Sequence, residues 1–158
     1  MSKIQNVEIR VESPRQDDVI VLIEALDHFH EGMYPPEANH ILDIDALCAP
    51  EIRLFVARRG GEVLGIGALW LRVDEGFGEV KRMFVRPDQR GLGVGLSLVQ
   101  EIVALARAQG CKRMELSSYY TMTSAHNLYR AMGFRDVPAP ADLPALFRGR
   151  VIFMEMWL

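Results

Sequence analysis

The chain has 158 residues, of which 49% are hydrophobic and 25% are charged, and its formal net charge is −3. These values are typical of an ordinary globular protein, and we expect a single domain over residues 1–158. The small negative charge argues against a nucleic-acid binder or a protein that lies on a membrane surface. No apolar run approaches the ~20 residues of a membrane span, and residues 1–6 lack the apolar core of a signal peptide, so the expected location is cytoplasmic.

The two cysteines, Cys48 and Cys111, are far apart in the sequence and lack the spacing of metal ligands. We interpret them as two reduced thiols, with Cys111 buried. No metal is expected.

The N-terminal part predicts a strand followed by a helix. Val7–Val11 alternates apolar and charged residues, as a half-exposed strand does. A helix start follows, because Ser13 can cap, Pro14 suits the first helical position and Gln16 completes a capping box. The next apolar residues recur at helical spacing, so we expect the helix to end near Gly32.

The connector after this helix contains two prolines, which exclude a regular helix. Tyr34, Glu37 and His40 place an aromatic ring, an acid and a histidine on this constrained loop. Such a set can orient an amine, so we interpret the loop as substrate-binding, with an ordinary surface connector as the alternative. A short helix at residues 43–47 is expected next.

Three strands are predicted in succession, at residues 53–58, residues 63–72 and Phe77–Val85. The turns between them contain Gly60, Gly61 and Gly76, which predicts an antiparallel meander. Gly65 and Gly67 interrupt the second strand and indicate a bulge or a close backbone neighbour.

A glycine turn, residues 91–95, connects the third strand of this meander to a helix. Gly91, Gly93 and Gly95 have no side chains to block a ligand, and they permit positive φ. The turn can present several backbone N–H groups at a helix N-terminus, where partial positive charge suits a phosphate or pyrophosphate. The helix is expected over residues 92–109, with Gly110 as its left-handed end.

Two common phosphate-binding motifs do not fit this turn. A P-loop needs a lysine followed by Ser or Thr after the last glycine, and neither pair is present. A dinucleotide fingerprint needs Gly-x-Gly-x-x-Gly directly after a strand. Here Leu96 stands in place of the third glycine, and Pro87 separates strand from turn.

The C-terminal part predicts further strands and one more helix. The strands are at residues 112–117, from Gly133 onward and at Val151–Trp157, and the helix is at residues 124–132. Strand, helix and strand around the glycine turn imply a right-handed parallel crossover. Because the apolar final strand could pair with a second copy, a homodimer is one expectation.

Residues 89–95, Gln-Arg-Gly-Leu-Gly-Val-Gly, resemble the Gln/Arg-x-x-Gly-x-Gly/Ala signature of the GNAT superfamily of N-acetyltransferases. Residues 79–86 resemble the strand that precedes it there, and residues 127–134 resemble a later Leu-Tyr-x-x-x-Gly-Phe element. The resemblance covers residues 54–134. It implies a mixed α/β fold with about seven strands and four helices, in which an antiparallel meander precedes a parallel βαβ unit. The co-substrate would lie where two central strands diverge.

The resemblance also implies how acetyl-CoA would be held. The pyrophosphate would contact backbone N–H groups from about Arg90 to Leu96, and Arg90 would add a fixed charge. The pantetheine arm would pair with the preceding strand, where an N–H near Phe84 or Val85 would face the thioester oxygen. The cofactor-binding set is Met83, Phe84, Val85, Arg90, Gly91, Leu92, Gly93, Val94, Gly95, Leu96, Asn127 and Tyr129.

Acyl transfer to an amine needs a proton acceptor and a stabilised thiolate leaving group. Glu79 resembles the glutamate that some members use as general base, directly or through water. Its alternative role is an ion pair with Lys81 or Arg82, or plain exposure. Tyr129 resembles the tyrosine placed near the coenzyme sulfur and is the expected general acid, with packing and one hydrogen bond as the alternative. Met122 departs from the family pattern, because many members have an asparagine seven residues before that tyrosine.

The implied activity is N-acetylation of a primary amine of a small molecule by direct transfer from acetyl-CoA. The alternatives are a protein lysine or N-terminal acetyltransferase and a non-catalytic coenzyme A-binding module. In the loop at residues 138–150, Phe147, Arg148 and Arg150 could contact the acceptor or only cover the sheet.

Overall fold

The computed structural model describes residues 6–32 and 42–158. None of the helices in these two ranges is long and apolar enough to cross a membrane. The prediction of a substrate-binding loop with Tyr34, Glu37 and His40 falls outside the described residues.

The order of strands and helices agrees with the prediction, and most boundaries shift by no more than a few residues. The described elements are β1 (Val7–Val11), α1 (Asp17–Glu31), α2 (Ile44–Leu47), β2 (Ile52–Arg59), β3 (Glu62–Arg72), β4 (Phe77–Val85), α3 (Val94–Ala108), β5 (Arg113–Tyr119), α4 (Thr123–Met132), β6 (Arg135–Val137) and β7 (Val151–Trp157). Short 3₁₀ turns occupy Val73–Glu75, Pro87–Gln89 and Ala145–Phe147.

The seven described strands form one sheet in the order β1-β2-β3-β4-β5-β7-β6. β1 to β4 form the predicted antiparallel meander, and β4 and β5 are parallel across α3. This is the predicted mixed α/β architecture. β7 lies between β5 and β6 rather than at an edge, so the expected pairing of this strand with a second copy is not supported.

Helices cover both faces of the sheet and produce two apolar cores. α1 and α2 bury Val19, Ile23 and Leu47 against β2 to β4 on one face. α3 and α4 bury side chains such as Ile102 and Tyr129 on the other face. Because successive strand residues point to opposite faces, each strand serves both cores.

α1 begins later than the capping-box pattern predicts. Ser13 Oγ accepts the N–H of Arg15 at 3.1 Å, and the Gln16 side chain donates to the Ser13 carbonyl at 2.9 Å. Both side chains therefore stabilise a turn before the helix rather than its first turn. The helix itself starts at Asp17 and Asp18, whose carboxylates suit the positive end of the helix dipole.

The bulge predicted from the glycines of β3 is present in β4. Two β4 residues, Arg82 and Met83, lie opposite the single residue Gly67 of β3. A Cβ at Gly67 would clash with the Met83 sulfur, so glycine leaves room for the Met83 side chain of the bulge. Arg82 adopts a φ of 55°, in the left-handed region that non-glycine residues rarely occupy.

Cys111 is buried, as predicted, and Cys48 is exposed, and both are free thiols. Burial raises the pKa of the Cys111 thiol, which makes it less reactive.

Candidate active site

β4 and β5 separate part-way along their length. Their parallel pairing consists of Phe77 with Arg113, Gly78 with Met114 and Glu79 with Glu115. Among the described strands, β5 pairs beyond this point only with β7, and β4 pairs only with β3. The space between residues 80–85 of β4 and residues 116–119 of β5 is called the β4–β5 gap below. This is the predicted divergence of two central strands.

The backbone of Val85 faces the β4–β5 gap. Arg86 N–H donates to the Leu64 carbonyl at 2.9 Å, and the next pair along the strands is Val85 with Gly65. Since hydrogen-bonded and non-hydrogen-bonded pairs alternate in an antiparallel ladder, Val85 directs its N–H away from β3. Phe84 directs its N–H toward β3. Of the two residues predicted to face a thioester oxygen, only Val85 therefore fits.

The glycine turn leaves a run of backbone amides without backbone acceptors. Gly91 and Gly93 have φ values of 80° and 88°, and the first bond of α3 runs from Ser97 N–H to the Gly93 carbonyl at 3.0 Å. Within residues 6–32 and 42–158, the amides of residues 91–96 have no backbone hydrogen-bond acceptor. The first turn of α3 also contains no acidic residue. These amides at a helix N-terminus suit an anion.

Gly95 differs from the other two glycines of the turn. It lies inside α3, where its φ is not positive. A Cβ at this position would lie 3.3 Å from Leu128 of α4, so its role is to let α4 pack closely against the start of α3. This contact brings Leu128 of α4 next to the start of α3.

Arg90 lies between the end of β4 and the glycine turn. Its Nε donates to the Val85 carbonyl at 3.0 Å, and its guanidinium lies 5.4 Å from the centre of the Phe84 ring. Within the described residues it has no ion pair with an acidic side chain. The arrangement leaves a fixed positive charge beside the unpaired amides.

Glu79 is engaged by two cations. Its side chain is 17% exposed, with Oε1 at 2.9 Å from Arg72 Nε and Oε2 at 3.1 Å from Lys81 Nζ. Arg72 Nε is close but not aligned for a hydrogen bond, so that contact is chiefly Coulombic. The alternative of an ion pair is thus confirmed for Lys81. Arg82 instead pairs with Asp27 of α1, and Arg72 is a partner that the sequence did not indicate.

Tyr129 is buried in α4 and contacts Phe134 edge-on, with 5.8 Å between ring centres. Burial raises the pKa of Tyr129 to about 12, so its hydroxyl stays protonated at neutral pH. Tyr129 belongs to the α3–α4 core, whereas Glu79 points to the opposite face of β4 from its neighbour Val80, which is in that core. The two predicted catalytic groups therefore lie on opposite faces of the sheet.

His126 and Ser118 form a partly buried contact that the sequence analysis did not identify. His126 is 2% exposed, and its Nε2 lies 3.0 Å from Ser118 Oγ. Burial, with a smaller contribution from the Arg130 charge, lowers the pKa of His126. The contact ties α4 to the β5 side of the β4–β5 gap. The sequence signal that could have identified His126 is its position, because it lies one helical turn before Tyr129.

The remaining predicted residues lie at the periphery. Met122 precedes α4 without forming a side-chain cap, so it supplies no substitute for the asparagine of the family pattern. Arg148 donates to the Ala141 carbonyl at 3.1 Å and is exposed, as is Arg150. Phe147 is half-buried. The bond from Arg148 to Ala141 is internal to this loop, and both alternatives for the loop stay predictions.

A groove of about 420 Å³ lies between α1 and the end of β4. It is lined by Val21 and Phe29 of α1, and by Phe84, Pro87 and Arg90. Its volume is in the range of small-molecule sites. Within the described ranges, no group of three His, Cys, Asp or Glu side chains is placed to hold a metal ion.

Comparisons with known proteins agree with this geometry. The model of the Acetyltransferase (GNAT) family matches residues 20–134. An IAA acetyltransferase of Azospirillum brasilense is 46% identical over 131 residues, which cover 83% of this chain and 86% of that protein.

Solved structures show the same fold. A crystal structure from Klebsiella pneumoniae, named as a candidate acyl-CoA N-acyltransferase, has a TM-score of 0.79 at 28% identity and covers 96% of this chain and 97% of that one. A GNAT family acetyltransferase from Elizabethkingia anophelis with acetyl-CoA bound has a TM-score of 0.71 at 19% identity, with 98% and 99% covered.

Proposed function

This chain belongs to the Acetyltransferase (GNAT) family and is an acetyltransferase, and we propose that it transfers an acetyl group from acetyl-CoA to a primary amine of a small molecule. The observation that carries the proposal is the run of unpaired amides at residues 91–96, directly after a strand whose Val85 backbone faces the β4–β5 gap. The acetyl-CoA complex of the Elizabethkingia anophelis protein supports the choice of co-substrate.

The residues present fit acetyl-CoA, which would supply a thioester and a thiol leaving group. The amides of residues 91–96 would bind its pyrophosphate, and Arg90 would add positive charge. The backbone of Met83 and Val85 would hold the pantetheine arm, as an added strand is held. Val85 N–H is the donor that would stabilise the developing oxyanion, a contribution of typically about 10²–10³ in rate. Phe84 leaves this set, because its amide faces β3.

Glu79 is the proposed general base and Tyr129 the proposed general acid. Glu79 would accept the amine proton through a water molecule, because both its oxygens contact cations. Tyr129 keeps its proton at neutral pH and can therefore donate it to the leaving sulfur. Their placement on opposite faces of the sheet suits a reaction in which amine and thiol approach the β4–β5 gap from opposite sides.

Calorimetric titration with acetyl-CoA tests the binding step. We expect one site per chain and stronger binding than for free pantetheine, since the pyrophosphate would supply much of the contact. A panel of small amines and lysine peptides, with release of free thiol as the readout, tests the reaction. Turnover on peptides alone would favour a protein acetyltransferase, and binding without turnover on any amine would favour a non-catalytic module.

Four further expectations are kept as proposals. The chain forms one domain over residues 1–158 and acts in the cytoplasm. It assembles as a homodimer through a surface other than an edge of β7, because β7 lies inside the sheet, and light scattering after gel filtration would test this. Tyr34, Glu37 and His40 contact the acceptor amine. Alanine at each of the three positions should raise the KM for the amine and leave the KM for acetyl-CoA unchanged.

A further inference from the structure

We propose that the ion pair between Asp27 of α1 and Arg82 of β4 is a positioning element for the acyl-donor site. By tying the β4 bulge to α1, it holds Val85 with its N–H turned into the β4–β5 gap. The inference rests on the proposed function, because the acyl-pantetheine arm of acetyl-CoA is the group that this backbone would receive.

The first observation is the conformation of Arg82. A non-glycine residue in the left-handed region persists only where its surroundings force it to do so. In the described part of the chain, the other non-glycine residue with positive φ is Asn6, a residue type that tolerates this conformation. Arg82 lacks that tolerance, so contacts elsewhere have to hold its backbone.

The second observation is how the Arg82 side chain is anchored. It is 4% exposed, and its Nη2 contacts Asp27 Oδ1 and, at 3.4 Å, the Ile23 carbonyl. Within residues 6–32 and 42–158, its buried Nε and Nη1 have no hydrogen-bond partner. The anchor therefore depends on one nitrogen and, for its charge, on Asp27. His30 lies nearby, where burial and the Arg82 charge lower its pKa and the Asp27 charge opposes this shift.

The third observation is what the bulge does to the strand. Lys112 N–H donates to the Gly76 carbonyl, so Gly76 faces β5 and the next odd-numbered residues, Phe77 and Glu79, face β3. Past the bulge this alternation is reversed, and the odd-numbered Val85 faces the gap. The extra residue produces the reversal, because a shift of one position turns every later group to the other side. Without the bulge, the Val85 N–H would point to β3.

The test compares two ligands that share the pyrophosphate. Acetyl-CoA contains the acyl-pantetheine arm, and 3′-phospho-ADP lacks it. We expect Asp27→Asn to weaken binding of acetyl-CoA about tenfold, the size of a typical coupling between contacting groups, and to leave binding of 3′-phospho-ADP unchanged. Calorimetry measures both affinities. The KM for acetyl-CoA should rise in proportion, with a smaller change in kcat.

A matched control is Glu12→Gln, which breaks another half-buried ion pair, with Arg58, at the other end of α1. This variant should lower the free energy of unfolding without altering the ratio of the affinities for acetyl-CoA and 3′-phospho-ADP. Asp27→Asn leaves a buried unpaired cation and can fail to fold. The double variant Asp27→Asn, Arg82→Met removes both charges, and it should show the same selective loss.

The outcomes distinguish the positioning role of the Asp27–Arg82 ion pair from the proposed function. If either folded variant binds acetyl-CoA and 3′-phospho-ADP in the wild-type ratio, the positioning role is wrong and the proposed function stands. If wild-type protein fails to bind acetyl-CoA, both are wrong. Restoration of the ratio by Asp27→Glu, which keeps the charge, would support the positioning role over a general loss of packing.

Discussion

The two halves of β4 differ in how their edges are used. Phe77, Gly78 and Glu79 pair with β3 on one side and β5 on the other, so their backbone groups are satisfied within the sheet. From residue 80 to Val85 the strand pairs with β3 alone, and the glycine turn that follows adds amides without backbone acceptors. Interior strands normally satisfy both edges. The first half therefore stabilises the fold, and the second half is the part available to a ligand.

The bulge in β4 accounts for this contrast. It lies opposite Gly67, which leaves room for the Met83 side chain, and it reverses the direction of the amides beyond it. Of the two predicted catalytic residues, Glu79 is the last residue of the fully paired half, and Tyr129 belongs to the core on the α3–α4 face of the sheet. Changes at either place should alter chemistry, whereas changes at the turn should alter binding.

The largest effect is expected for Tyr129→Phe. Loss of the hydroxyl should lower kcat about 100-fold, while the affinity for acetyl-CoA stays the same because the ring keeps its contact with Phe134. Because burial raises the pKa of Tyr129 to about 12, the wild-type rate should not fall up to about pH 10 through loss of this proton. Steady-state kinetics and calorimetry measure the two quantities. Tyr120→Phe, at a half-exposed ring, is the control, and equal rates in both variants would remove Tyr129 from the mechanism.

A smaller effect is expected for Glu79→Gln. Since the carboxylate contacts Arg72 and Lys81, we expect it to act through water and the variant to lose about 30-fold in kcat/KM, below the usual range for a directly acting base. The acidic limb of the pH–rate profile should move or vanish. Glu75→Gln, which also removes a carboxylate near Arg72, at 3.6 Å, should keep the wild-type profile. An unaltered profile in Glu79→Gln would exclude Glu79 as the base.

The same contrast shows what the sequence could predict. The meander, the glycine turn and the central helix depend on local patterns, namely alternation in strands and helical spacing. The positive φ of Gly91 and Gly93 and the bulge opposite Gly67 followed from the same kind of signal. The predictions that were wrong concern residues at which two local patterns compete. Ser13 stabilises a turn instead of capping α1, because its hydroxyl accepts from Arg15 rather than from the first turn of the helix.

Contacts between distant residues could not be predicted. Arg82 was considered as a partner of Glu79, three positions away on the same strand, but it pairs with Asp27 of α1. Its left-handed backbone turns the side chain in a direction that no alternation rule describes. The Arg72 contact of Glu79 depends on the register of β3 against β4, where Trp70 lies opposite Glu79. The sequence carries no local signal for either arrangement.

Gly93→Ala tests whether the glycine turn that follows the second half of β4 binds acetyl-CoA. An alanine in the left-handed region costs roughly 1–2 kcal/mol, and relief of that strain would turn the following amides away from a common target. We expect acetyl-CoA to bind about tenfold more weakly, with kcat for the bound complex little changed. Gly76→Ala, at a φ of 84° in a turn remote from the site and with open space for a side chain, is the matched control. It should lower the unfolding free energy by a similar amount and leave affinity intact.

The smallest expected effect concerns the β5 side of the β4–β5 gap. Burial and the Arg130 charge lower the pKa of His126, whereas its bond to the Tyr119 backbone and the Asp136 charge oppose the shift. At His126 the unfolded chain then binds a proton more readily than the folded chain. The contribution of neutral His126 to the free energy of unfolding is therefore complete above about pH 6.5, and it is lost as the pH falls below that value. His126→Asn should flatten this part of the stability curve, as measured by denaturant unfolding between about pH 5 and 8. His28→Asn, at an exposed ring on α1, should leave the slope unchanged. A wild-type slope in His126→Asn would show that the Ser118 contact does not depend on a neutral imidazole.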